Sequence, residues 1–277
     1  MRITMLALCL TAGALCFASP VFADTTITIT NTACTNPPPP ADVSPPTSPS
    51  APSGEAAMRD RKFALARANF RPLAERSDVE GMRLYGMLLL ENCTGLQDKA
   101  AGAQWLGKAA EAGDVMAQGR LAAAYLNGDG VAEDDGKAFD LFNKAAASGN
   151  ANAEEQVGYL YLSGRGVASD KYQGMVWSVK AGEQGNPFAL VNIAQAYFRG
   201  GALPQDNDKA AYYMYAAIER ATGNQRMSFV NTTNNISRAL SEHDLQHAAD
   251  RAKRWSPGPR SLSDVLDDAA RRRDKGA

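Results

Sequence analysis

Between Ala117 and Gly149 apolar residues recur at helical spacing. Ala117, Leu121 and Tyr125 fall at i, i+4 and i+8 and mark one face of a helix, while Ala138, Leu141, Phe142 and Ala145 mark the matching face of a second. Two such faces must bury against each other, so the stretch predicts a helix, loop, helix unit. The unit then repeats every 36 residues: Leu121 is followed by Val157 and Ile193, Tyr125 by Tyr161 and Tyr197, and Ala109 by Ala145, Ala181 and Ala217. Trp105, Leu141, Trp177 and Tyr213 keep the same step. A period of about 20 to 50 residues is the mark of a solenoid, in which each unit packs only on its neighbours.

The punctuation keeps the register too. Gly128 and Gly130 of "NGDGV" recur as Gly164 and Gly166 of "SGRGV", and Gly113, Gly149 and Gly185 hold a second glycine register. Glycine there suits a first helix that stops by entering left-handed backbone space. Asp134, Asp170 and Asp206 stand where the second helix needs an N-cap or first-turn acid. Ala122, Gly158 and Ala194 are small at equivalent places, which allows paired helices to approach closely. Four units follow, at about 78–113, 114–149, 150–185 and 186–223, inside an all-α domain spanning 55–255. A capping helix broken or bent near Pro72 is expected at 56–76, and two more helices over 225–255, because an array needs ends that are polar on one side.

The flanks change the picture at the N-terminus. Arg2, the apolar stretch Ile3 to Phe17 and "ASPVFAD" predict a secretory signal over 1–23, cleaved after Ala23. The apolar run is too short for an anchor, and Leu15 before Cys16 spoils a lipoprotein box, so no integral membrane segment is expected after cleavage. "TTITIT" alternates like a strand without an evident partner, and eight of the fourteen prolines fall between Asn36 and Glu55. Residues 24–54 therefore read as an extended, polyproline-like spacer. Residues 256–277 read as a tail with a short helix that ends in the basic run Arg271, Arg272, Arg273, expected to be a solvated end.

The whole chain carries a formal net charge of −1, so no basic field argues for nucleic acid. Cys9 and Cys16 leave with the signal, which leaves Cys34 and Cys93 in an oxidising compartment. They form either a disulfide that staples the arm to the first repeat, or two free thiols open to intermolecular exchange.

"A-x-x-x-L-A-x-x-Y-x-x-G-x-G-V" from Ala117, followed by "D-x-x-K-A-x-x-L-F-x-K-A-A-x-x-G" from Asp134 to Gly149, resembles the Sel-one-like repeat, a relative of the tetratricopeptide repeat. Ala153 to Gly185 matches nearly as well. Gly81 to Gly113 departs, with "ENCTGLQD" in place of the Gly-x-Gly-Val loop, and Ala189 to Gly223 carries "GGALPQD" there. The resemblance implies a right-handed superhelix of antiparallel helix pairs that serves as an adaptor in protein assemblies. It also implies a concave face lined by the first helix of each pair, here Met87, Leu90, Met116, Ala123, Leu126, Tyr159, Leu162, Phe188, Gln195 and Phe198. Such an apolar groove suits an extended or helical peptide. Leu126, Leu162 and Phe198 have an alternative role, packing against the neighbouring repeat.

Chemistry finds little support. His243 and His247 of "HDLQH" share a helical face, but the residue after the first is Asp244 rather than glutamate and no third histidine exists, so they are weak metal candidates beside a surface reading. No Gly-x-Ser-x-Gly elbow, Ser-x-x-Lys or Lys-Thr-Gly appears, and the Gly-x-Gly-Val loops lack the Gly-Lys-Ser/Thr of a phosphate loop. The sequence therefore reads as a secreted or periplasmic, bacterial, non-catalytic adaptor that needs no cofactor and binds a protein or peptide. An immunity-type inhibitor of a toxic enzyme and a hydrolase or metal-dependent enzyme of the cell envelope are its alternatives.

Overall fold

The computed structural model describes residues 43–274, apart from residues 45, 92–94 and 260. The described residues form thirteen helices and no strand. Eight of them make four antiparallel pairs: α3 (Val79–Leu90) with α4 (Lys99–Glu111), α5 (Val115–Asn127) with α6 (Asp135–Ala147), α7 (Ala151–Ser163) with α8 (Lys171–Glu183), and α9 (Pro187–Arg199) with α10 (Asn207–Arg220). The pairs stack into a right-handed α-solenoid.

Each of the eight begins in the same way. Asp78, Asp98, Asp114, Asp134, Asn150, Asp170, Asn186 and Asp206 are N-caps whose side chains accept a backbone N–H from the first turn. The first helices α5, α7 and α9 stop at left-handed Gly128, Gly164 and Gly200. The following loop is tied back by one recurring bond, in which the N–H of Asp134, Asp170 or Asp206 donates to the carbonyl of Tyr125, Tyr161 or Tyr197. A second glycine locks neighbouring repeats together. A Cβ at Gly130 would lie 1.9 Å from the Lys99 carbonyl oxygen, and one at Gly166 would lie 2.0 Å from that of Asp135. Arg165 in the same loop donates to Asp135 through Nε at 3.0 Å and Nη2 at 2.6 Å.

The core runs along the array as a row of clusters between helix pairs. Leu106, Phe142, Leu160, Met175, Ile193 and Met214 are fully buried. Where helices come closest the residues are small: a Cβ at Gly86 of α3 would stand 2.9 Å from the Gly102 carbonyl oxygen of α4, and one at Gly158 of α7 3.0 Å from that of Gly174 of α8.

The N-terminal end differs from expectation. The lead-in is two helices, α1 (Ala51–Arg59) and α2 (Phe63–Glu75), and the break falls at residues 60–62, where Arg61 has a φ of +60°. Pro72 lies inside α2 without ending it. Helix α1 starts at Ala51, within the span that proline content assigns to the spacer, because Ser50 caps it and Pro52 occupies its first turn, where a missing N–H costs nothing. Gly54 then sits on the buried Phe70 ring. At the other end α11 (Gly223–Ser237) and α12 (Glu242–Arg254) pack on α10. The predicted tail folds back as α13 (Ser263–Asp274) along α8, burying Leu262, Val265 and Ala269. Its basic run is engaged: Arg271 pairs with Asp268, Arg272 donates to the Gly200 carbonyl, and the Arg273 guanidinium lies 4.3 Å from the Tyr172 ring centroid. The predicted signal, Cys34 and Cys93 lie outside the described residues.

Candidate protein-binding face

Met87, Ala123, Tyr159 and Gln195 occupy one position of the four first helices, 36 residues apart, and form a ladder up the array. Met87, Ala123 and Gln195 are half-buried, while Tyr159 is 37% exposed, unusual for a large ring in a helix whose other apolar residues are mostly covered. Leu90 and Leu162, one turn further on, turn toward their own second helices. Their Cγ atoms would be 3.1 and 2.6 Å from Cβ atoms added at Gly102 and Gly174. Leu126 and Phe198 are half-buried against the clusters of their repeats. Met116 lies 3.8 Å through its sulfur from the Asn150 amide, and Phe188 meets Phe229 of α11 edge to face with centroids 5.1 Å apart. The structure thus places Met87, Ala123, Tyr159 and Gln195 in line, and holds Phe188 partly beneath the cap.

Next to Phe188 a cleft of about 400 Å³ opens between the starts of α7 and α9 and the start of α11. Its lining is amide-rich, with Asn150, Asn152, Gln184, Asn186 and Gln225. Asn186 donates to Asn152 at 2.8 Å and to the Ala151 carbonyl at 3.3 Å. Groups that both donate and accept in this way match the needs of an extended peptide backbone.

Inside α7 lies a polar layer that periodicity did not flag. Glu154, Glu155 and Gln156 are all buried. Glu155 accepts hydrogen bonds from Asn192 of α9 at 2.9 Å and from Gln156 at 2.7 Å. Burial pushes its carboxyl up to about 7, against those two bonds, which favour the ionised form. Glu154 is raised by burial as well, and accepts from Gln184, the residue that caps the end of α8, at 2.6 Å. The signal was present in the register: Gly119 and Val191 hold the places equivalent to Glu155. Because the raised carboxyl favours the protonated fold, its contribution is intact below the ordinary value of 4.5 and is lost as pH rises through about 7. Glu155→Gln is therefore expected to matter little at pH 4 and to stabilise at pH 8 by no more than about 3 kcal/mol. Urea midpoints at the two pH values check this, and an equal effect at both would contradict it.

His243 and His247 are exposed on α12, and His243 Nδ1 approaches only Asp244, at 3.4 Å. Among the described residues no three His, Cys, Asp or Glu side chains gather as a metal site. No helix among them is long and apolar enough to cross a membrane.

The Sel1 repeat family model matches residues 79–114, 115–150, 151–186 and 187–221. Among solved structures the chain is similar to c5321, a protective antigen of uropathogenic Escherichia coli displaying an SLR fold, at 27% identity and a TM-score of 0.60, over 76% of this chain and 43% of that one. The chain thus spans less than half the length of that antigen. A Sel1 repeat protein from Oxalobacter formigenes shares the fold, at 21% identity and a TM-score of 0.60, over 80% of this chain and all of that one. No curated protein matches the chain. With four matched units covering just over half of its length, each one of the observed helix pairs, the chain belongs to the Sel1 repeat family.

Proposed function

We propose that this protein is a non-catalytic adaptor that holds a protein or peptide partner against the ladder of its first helices, on the concave side of the solenoid. Sel1 repeats typically serve as scaffolds for protein–protein interaction, and their proteins are typically non-catalytic. The observation that carries the reading is Tyr159, an aromatic left 37% exposed at the middle of the ladder. A tyrosine at the centre of a contact contributes large area at low entropy cost, and truncating such an anchor commonly costs about 2 kcal/mol or more of binding. The amide-rich cleft beside Phe188 supplies polar partners for the same peptide. Sel1 repeat proteins are often bacterial and extracytoplasmic, which agrees with a cleaved signal and a periplasmic or secreted location.

Tyr159→Ala is expected to keep the helicity of the parent and to lose the partner that the parent retains from a native periplasmic extract. Retention of the same partner by both would move the site elsewhere. Phe188→Ala is a poorer probe, because it also removes the contact with Phe229.

A further inference from the structure

Helix α13 shows what the outer side of this array can bind. It lies along α8 with Val265 and Ala269 buried, and its Asp268 accepts from the Tyr197 hydroxyl at 2.7 Å and from Lys209 Nζ at 2.5 Å. Tyr213 donates to Asp264, one helical turn earlier. Hydrogen bonding outweighs burial here: burial raises the Asp268 carboxyl, but Lys209, Tyr197 and Arg271 together hold it down at about 2. The receptor for this acidic helix is thus a tyrosine at the end of a first helix and a lysine in the first turn of the following second helix, with Lys209 Nζ 5.0 Å from the Tyr197 ring centroid.

The array repeats that receptor. Two units back, 72 residues earlier, stand Tyr125 and Lys137, with Lys137 Nζ 5.3 Å from the ring centroid. No helix of the described chain lies there. Lys137 is 62% exposed and rests on its own cap Asp134 at 3.2 Å. The α4 side of this groove carries small residues where α8 carries large ones: Ala103 replaces Met175, Ala100 replaces Tyr172, and Gly107 replaces Val179. A Cβ added at Gly107 would meet nothing within 4 Å, whereas Val179, at the equivalent place of the occupied groove, is buried at 2% exposure. The groove between them, from α6 to α8, lacks the pair. Gln173 stands in place of the lysine, and Phe139 fills the space against Tyr161 with centroids 5.3 Å apart.

We propose that the groove between α4 and α6 docks an acidic amphipathic helix of a partner protein, its carboxylate held by Tyr125 and Lys137 and its next small or apolar residue lying over Gly107 and Leu141. Charge complementarity and the occupied copy of the same receptor select this occupant. The site uses Tyr125 at the end of α5, Lys137 and Leu141 of α6 and Gly107 of α4, none of which belongs to the Tyr159 ladder, so either can fail without the other.

The test uses a fluorescein-labelled peptide of residues 261–274, the segment that contains α13, titrated into the full chain and followed by anisotropy. Saturable binding is expected, weakened at least about tenfold by Lys137→Glu and by Lys137→Gln, both with unchanged circular dichroism, and by an Asp268→Asn change in the peptide. No binding up to about 1 mM would overturn the proposal. So would binding indifferent to Lys137, or binding lost only in Lys209→Glu, which would mean that the peptide merely exchanges with α13.

Discussion

Gly166→Ala is expected to destabilise the protein by about 2 to 5 kcal/mol, the sum of two separate penalties. Gly166 has a φ of +69°, where a side chain costs about 1–2 kcal/mol. The added Cβ would also fall 2.0 Å from the Asp135 carbonyl oxygen, on the backbone of the preceding repeat. A backbone atom at the start of α6 cannot swing aside as a side-chain tip can. The loop must lift instead, and Arg165 then loses its hold on Asp135. Gly149→Ala separates the two penalties, since Gly149 has a φ of +80° but nothing within 4 Å of an added Cβ. It is expected to cost only the left-handed share, about 1–2 kcal/mol. Chemical denaturation of both variants decides the matter: equal losses would mean that the contact between loop and repeat adds nothing.

Phe142→Ala is the second large effect, about 3–5 kcal/mol. Phe142 is fully buried among Ala122, Ala145, Val157 and Leu160, so its ring joins α5 and α6 of one repeat to α7 of the next. Most of its neighbours are alanine or branched residues on three helices already in close contact, and they cannot collapse into the space left behind. In a quasi-linear array the loss of one interface weakens coupling as well as stability, so the thermal transition should broaden as well as shift. A lower midpoint with unchanged width would show that the repeats remain fully coupled without this ring.

The repeats were readable in the sequence because each device recurs. Asp134, Asp170 and Asp206 are N-caps, and Gly128 and Gly164 are left-handed stops, as their spacing predicted. The glycine register also contained more than turn geometry. Gly130 and Gly166 are required by a neighbouring repeat's backbone as well as by φ, and a contact between repeats is invisible to a rule about turns. Single-copy features were harder to read. The break before α2 rests on Arg61 in a left-handed conformation, with no proline or glycine to announce it, while Pro72 lies inside α2 without ending it. Helix α13 has few apolar residues, and its place is set by Tyr197, Lys209 and Gly182, which lie far away in the chain. Of the proposed binding residues, Met87, Ala123, Tyr159 and Gln195 align through the period alone. Which of them faces solvent depended on the pairing of Leu90 and Leu162 with Gly102 and Gly174, which no pattern of single residues contains.

The most direct test of the account is photo-cross-linking in the native cell, with benzoylphenylalanine placed at position 159 on the first-helix ladder or at position 243, where exposed His243 sits on the capping helix α12, away from both proposed surfaces. The account predicts a discrete cross-linked protein from position 159 and none from position 243. Cross-links of equal strength from both, or from position 243 alone, would contradict a partner held by the first-helix ladder.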